Sequence, residues 1–291
     1  MKFPNALRPA AIGRLGITAI AVAAALYAGW QLWIHYEIDP WTRDGRVKAY
    51  VVQVAPDVSG LVTAVPVRDN QDVKAGDVLF EIDPVRYRLA LDLAQAMYES
   101  QKAVREQAVR DVKRNRSLGK LVATEMLERS QTQFQQADAA LAHARIQLDT
   151  AKLNLQRSRV VAATDGRVTN LELRVGSYAA AGRPALALID AQSFYVEGYF
   201  EETKLINIHA GDPVTVTLMG DARAIGGHVE SIAMGIADHD RNTSTNLLPN
   251  VNPTFNWVRL AQRIPVRIKL DDVPSGVSLV AGQTATVAVN S

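Results

Sequence analysis

The sequence predicts a multidomain, mainly β protein in which a long helical hairpin interrupts one β domain and an apolar helix precedes everything else. Three observations predict it. A twenty-residue apolar run lies near the N-terminus. Two segments about a hundred residues apart repeat one glycine-punctuated β pattern. Between them lies a proline-free stretch with heptad spacing.

The apolar run, Leu15 to Ile34, contains one strongly polar residue, Gln31. As a helix rising about 1.5 Å per residue it spans roughly 30 Å, the thickness of a bilayer core. Lys2, Arg8 and Arg14 precede it, and Glu37 and Asp39 follow it before Arg43. The positive-inside rule then puts residues 1–36 down as a cytoplasmic N-terminus and single transmembrane anchor, with the rest of the chain outside. Tyr27, Trp30, Trp33 and Tyr36 gather at its outer end, as an interfacial aromatic belt does. The competing reading is a cleaved signal peptide, but its apolar region is usually only about 7–15 residues.

The repeat pairs residues 59–83 with residues 165–190. Gly60 matches Gly166, Val62-Thr63 matches Val168-Thr169, Arg68 matches Arg174, and Gly76 matches Gly182. Apolar and polar residues alternate in both, the pattern of short half-buried strands. Each unit is too small to bury a core alone, so the two are expected to pack as one sandwich, residues 43–84 with 159–190.

From Val85 to Arg157 proline is absent and Gly119 is the one glycine, which predicts helix. In the second arm Leu127, Phe134, Leu141, Leu148 and Leu155 form a large row. Ser130, Ala137, Ala144, Ala151 and Ser158 form a small one. Together they read as a narrow coiled-coil seam. In the first arm the corresponding rows are Ala90, Met97, Val104, Asp111, Leu118 and Ala94, Gln101, Ala108, Asn115. Residues 85–158 are therefore expected to project as an antiparallel hairpin about 50 Å long, turning at Gly119-Lys120, with Thr124 capping the returning helix. The alternative is a helical domain packed on the β unit.

Residues 191–291 return to short strands separated by Gly, Pro, Asp and Asn, the signature of an antiparallel barrel, with residues 237–256 as a polar loop.

Composition excludes several classes. Net charge is +2, aromatics are 6%, and cysteine is absent, so nothing suggests nucleic acid, zinc–thiolate chemistry or a cysteine nucleophile. The five histidines show no metal spacing. Asp238-His239-Asp240 reads as a solvated loop, and no P-loop, GxSxG or Rossmann glycine pattern occurs. Lys74 reads as a turn lysine rather than a cofactor carrier. No catalytic residue, metal site or cofactor is expected.

The order anchor, half β unit, hairpin, second half, barrel resembles the membrane fusion proteins, the HlyD-like periplasmic adaptors of bacterial efflux pumps. The phrases PWTRDGRV (Pro40–Val47), APDVSGLV (Ala55–Val62), YFEETKL (Tyr199–Leu205) and WVRLAQRIPVRI (Trp257–Ile268) are similar to the branch serving aromatic carboxylic acid (p-hydroxybenzoate) efflux. The resemblance implies a split lipoyl-like barrel-sandwich hybrid and a non-enzymatic adaptor in the inner membrane with its bulk in the periplasm. It implies an inner-membrane exporter as partner, an outer-membrane channel as a further one, and assembly as a homo-oligomer. It also implies docking at the hairpin tip through Arg114, Leu118 and Thr124, although the Leu-to-Thr interval is one residue shorter than in drug-pump adaptors. The local alternative is that Leu118 closes the seam, Thr124 caps a helix and Arg114 is solvated. Secretion and multidrug adaptors share the architecture, and an anchored scaffold without a transport partner is the reading from another class.

Overall fold

The computed structural model describes residues 9–33, 36, 39–119, 123–236, 241–243, 249–251 and 261–290, with backbone alone for 9–17, 241–243 and 249–251. The chain divides into two compact units, residues 50–192 and residues 1–49 with 193–291.

The chain opens with helix α1 (Pro9–Trp33) and strand β1 (Trp41–Lys48). The inner unit then supplies β2 (Val51–Val54), β3 (Gly60–Ala64), β4 (Asp72–Val73) and β5 (Val78–Ile82). The hairpin helices α2 (Val85–Ser117) and α3 (Thr124–Arg157) follow. After them come β6 (Arg159–Val161), β7 (Gly166–Thr169), β8 (Tyr178–Ala179) and β9 (Leu186–Asp190). The chain closes with β10 (Tyr195–Glu201), β11 (Pro213–Leu218), β12 (Asp221–Ile232), β13 (Arg241–Thr243), β14 (Pro249–Val251), β15 (Arg263–Asp272) and β16 (Thr284–Val289).

In unit 50–192 two four-stranded sheets, β2-β9-β7-β4 and β6-β5-β3-β8, share one core that includes Leu79, Phe80, Ile82, Val168 and Leu188. Each sheet takes strands from both halves of the repeat, so the halves interleave rather than forming a sheet apiece. The exchange is reciprocal. Val62 N–H donates to Ser177 O and Val168 N–H to Gln71 O, while Gly176 N–H donates to Val62 O and Asn70 N–H to Val168 O. Gly182 N–H to Pro56 O is matched by Gly76 N–H to Ala162 O. Gly76 and Gly182 sit at φ +92° and +74°, the left-handed region where a Cβ is unfavourable. Gly166 serves closeness instead, since a Cβ there would lie 2.2 Å from Ile189 O.

The helical stretch is an antiparallel hairpin of 33- and 34-residue arms. The small row of α3 forms its deepest line: Ser130, Ala137, Ala144 and Ala151 are buried, and of the large row only Leu148 is. The two buried hydroxyls need no partner across the seam, because Ser130 Oγ donates to Leu127 O (2.8 Å) and Ser158 Oγ to Leu155 O (2.6 Å). On α2 the row Ala94, Gln101, Ala108, Asn115 turns inward, but its companion is Leu91, Tyr98, Arg105, Val112. The expected companion is displaced by one position: Met97, Val104 and Leu118 are exposed. Arg105 causes the misreading. It looks polar in sequence, yet its guanidinium lies 5.4 Å from the Phe134 ring centroid and its Nε donates to Asp138 Oδ1 (3.0 Å), so its stem covers the seam. At the base, Tyr87 is buried and donates its hydroxyl to Ser59 O (2.6 Å), while Arg157 pairs with Asp57 and Arg159 with Glu81.

In the other unit β1-β10-β15-β12-β11-β16 close an antiparallel barrel around Val47, Val196, Phe200, Val216, Ile225, Val266, Ile268 and Val287. Residues 43–48 therefore belong to the barrel, not to the sandwich in which residues 43–84 were expected. The reason is pairing: β1 meets β10 on one side and β16 on the other, and Val47 points into the barrel core.

Every side chain described in α1, Thr18 to Trp33, is exposed. Gln31 Nε2 donates to Tyr27 OH (3.0 Å), one turn back. Among the described residues no helix is long and apolar enough to cross a membrane. The side chains described in α1 cover roughly 24 Å of a core about 30 Å thick. A helix is thus shown where the anchor is expected, but a membrane span is not. The flanking charges Lys2, Arg8 and Glu37 lie outside the described residues, as do Asp238-His239-Asp240, Trp257 to Leu260 and most of the polar loop.

Candidate partner-docking surface

The tip is built where α2 runs out of seam. Helix α2 ends at Ser117, and Leu118 is its C-cap, donating its N–H to Arg114 O (3.2 Å). Gly119 then reverses the chain at φ +52°. Lys120, expected beside it in the turn, lies outside the described residues. Arg114 and Arg116 stand in the last turn, where the carbonyl end of the helix favours cations.

Arg114 is tied down on one side only. Its Nη2 donates to Asp111 Oδ1 (2.5 Å) one turn back, and Gln107 Nε2 also donates to that carboxylate. About two-thirds of the Arg114 side chain remains exposed. Leu118 is 44% exposed, so it does not close the seam. Thr124 is exposed and opens α3, but the N-cap is Ala123, which makes no side-chain cap hydrogen bond. The capping role expected of Thr124 is therefore corrected: Ala123 holds the extended cap conformation (φ −60°, ψ 139°), and its carbonyl accepts from Met126 N–H. Arg114, Leu118 and Thr124 all lie on the described sides of the turn, with unspent polar or apolar surface.

Two further surfaces escape the sequence reading. Below the tip a groove of about 620 Å³ runs between the helices, lined by Arg105, Val109, Lys113, Arg116, Gln131 and Phe134. It combines an aromatic floor with a cationic edge. Nearer the sandwich Leu89, Leu93, Met97 and Val104 leave an exposed apolar stripe along α2, with Ile146 exposed on α3. Leu93, Met97 and Ile146 share a second groove of about 370 Å³. The signal for the second was present as apolar residues left over once Leu91-Tyr98-Arg105-Val112 is taken as the seam.

Among the described residues no group of three or more His, Asp or Glu is placed to hold a metal. Lys74 sits in a turn whose backbone N–H donates to Asp77 Oδ2 (2.8 Å). The perturbed carboxylates are structural: Asp221 is drawn down to about 2 by hydrogen bonds from Arg223, and Asp72 is lowered by its hydrogen bond from Arg167.

Comparison with known proteins covers nearly the whole chain. Residues 50–191 match the family profile described as "RND MFP, barrel-sandwich hybrid domain", and residues 193–290 match "AAEA-like beta-barrel domain". The Escherichia coli (strain K12) "Uncharacterized protein YdhJ" is 41% identical over 273 residues, covering 94% of this chain and 96% of that protein. Among solved structures, the membrane fusion protein Spr0693 from Streptococcus pneumoniae R6 is similar at a TM-score of 0.63 with 17% identity, over 86% of this chain and 98% of that one. A MacA-MexA chimera carrying the Pseudomonas aeruginosa MexA α-hairpin is similar at 0.61 with 22% identity, over 87% and 79%. At these identities the two structures establish a shared fold.

Proposed function

The chain belongs to the membrane fusion protein family, and from that membership and its hairpin we propose that it is the periplasmic adaptor of an efflux pump. It links an inner-membrane exporter to an exit route across the periplasm and carries out no catalysis. One observation carries this reading. Where the two interleaved sandwich halves would need only a short turn, the chain inserts two long helices that end in an exposed tip. An insertion about 50 Å long, held at its base by Tyr87 and at its tip by nothing described, is built to reach a partner.

The finer assignments belong to the same proposal. Helix α1 is the inner-membrane anchor, and Gln31, the one strongly polar side chain of the apolar run Leu15–Ile34, donates to Tyr27 within the helix, as a lipid environment requires. Arg114, Leu118 and Thr124 form the docking point for an outer-membrane channel, and several copies assemble. The exported class is aromatic carboxylic acids, a reading that rests on the phrases PWTRDGRV, APDVSGLV, YFEETKL and WVRLAQRIPVRI.

The test is a strain lacking this chain and loaded with 4-hydroxybenzoate. Efflux is expected to fall to the level of a strain lacking the exporter, with the exporter still present in the membrane, and to return on re-expression. Unchanged efflux of this and other aromatic acids refutes the substrate class. Unchanged efflux of every compound that the exporter handles refutes the adaptor itself.

A further inference from the structure

Three phrases far apart in sequence converge on one cleft in the barrel unit. Trp41 and Arg43 come from Pro40–Val47, Glu201 and Lys204 from Tyr199–Leu205, and Arg263 from Trp257–Ile268; with Tyr36 they line a space of about 370 Å³. The efflux reading uses none of them.

The cleft gathers cations around an indole. Arg43 lies 5.4 Å and Lys204 5.6 Å from the Trp41 ring centroid, both in cation–π range. Lys204 Nζ also donates to Tyr36 O (3.0 Å), and the Tyr36 ring meets Trp41 edge-on at 6.1 Å. Arg263 is neutralised by Asp44 (2.5 Å). Among the described residues no carboxylate lies within ion-pair distance of Arg43 or Lys204. Two like charges held against one ring, with no described carboxylate paired to either and Glu201 the one acid among the lining residues, make a site for an anion.

Position decides which anion. Tyr36 follows the end of α1 at Trp33 by three residues, so it stands within about 11 Å of it. Lipid headgroups form a polar layer of several Å beyond a hydrocarbon core about 30 Å thick. Cations and aromatic rings in that layer are the usual partners of headgroups. The Trp41 ring, already met by two cations and the edge of Tyr36, offers little room to stack an aromatic acid.

We infer that this cleft binds the phosphate of an anionic phospholipid and thereby seats the barrel on the membrane surface. The inference rests on α1 being the anchor. The experiment uses the full chain in detergent, titrated with short-chain phosphatidylglycerol or phosphatidylcholine and read by native mass spectrometry. Phosphatidylglycerol is expected to be retained about ten-fold more tightly, the scale of one strong charge-assisted contact. The double variant R43Q/K204Q is expected to lose that preference with an unchanged circular dichroism spectrum, while K204R keeps it. Equal retention of the two lipids by the wild type overturns the inference and needs no variant. So does displacement of the lipid by equimolar inorganic phosphate or benzoate, which would make the site one for a soluble anion. Carbonate extraction of native membranes tests the anchor separately. A chain released by carbonate refutes the anchor, whereas a chain retained without lipid preference refutes only the headgroup site.

Discussion

At the tip, three residues singled out together serve three different local structures. Leu118 ends α2, Arg114 answers to Asp111, and Thr124 begins α3 without capping it. None is buried, and none is committed to the fold by more than a surface contact. Exposed ion pairs such as Arg114–Asp111 contribute only about 0–1 kcal/mol. The variants L118E and R114E are therefore expected to leave the melting temperature within about 2 °C of wild type while abolishing or severely reducing efflux. Melting curves set beside efflux assays check this. Wild-type efflux in both variants would remove the tip from the docking surface. Sequence reasoning found these positions through resemblance, because an exposed leucine next to a turn carries no pattern of its own. It missed Arg105 for the opposite reason: a charged residue inside a seam is recognised only when Phe134 and Asp138 are seen to receive it.

The hairpin as an element depends on small residues. Ala137, Ala144 and Ala151 let the helices approach closely, so enlarging them forces backbone and rotamer shifts costing about 1–3 kcal/mol each. A144L and A151L are expected to lower the melting temperature by several degrees, while M97Q, on the exposed stripe, leaves it nearly unchanged. Thermal denaturation of the three variants decides between this seam and the one shifted by a residue. If M97Q melted as early as A144L, Met97 would face the partner helix after all. The seam of α3 was legible because its large and small rows are unbroken. In α2 two rows one residue apart carry comparable apolar content, and hydropathy alone favours the wrong one.

Across the whole molecule, the two sandwich halves are joined by contacts that only the folded chain brings together. Asp72 and Arg167 face each other across the β4–β7 pair, with Arg167 Nε and Nη2 donating to the two carboxylate oxygens (2.7 and 3.0 Å). The hydrogen bond from Arg167 lowers the Asp72 pKa below its ordinary 3.8. Because the folded-state value is the lower one, the pair's stabilisation is present above pH 3.8 and is lost as pH falls below it through the folded value. Both groups are solvent-exposed, which keeps the effect to a few tenths of a kcal/mol. D72N is thus expected to melt slightly below wild type at pH 7, with the gap narrowing as pH falls below 3.8. A gap that did not narrow there would mean that the carboxylate acts through something other than its charge.

The sequence by itself determined the elements and their order: an apolar helix, a duplicated β unit, a heptad hairpin and a terminal run of strands. Each of these is written in local periodicity, at period two for the strands and near three and a half for the coiled coil. It even contained the reciprocal pairing of the halves, since Gly60 and Gly166 set an offset of 106 residues that the hydrogen bonds at Val62 and Val168 obey. Only the tertiary structure decided which neighbours those elements take. Strand β1 closes the barrel because β10 and β16 offer it two open edges, and nothing local to residues 41–48 records those edges. The same holds for the cleft around Trp41. Its cations come from three places in the chain, and charge complementarity between distant side chains has no sequence period to betray it.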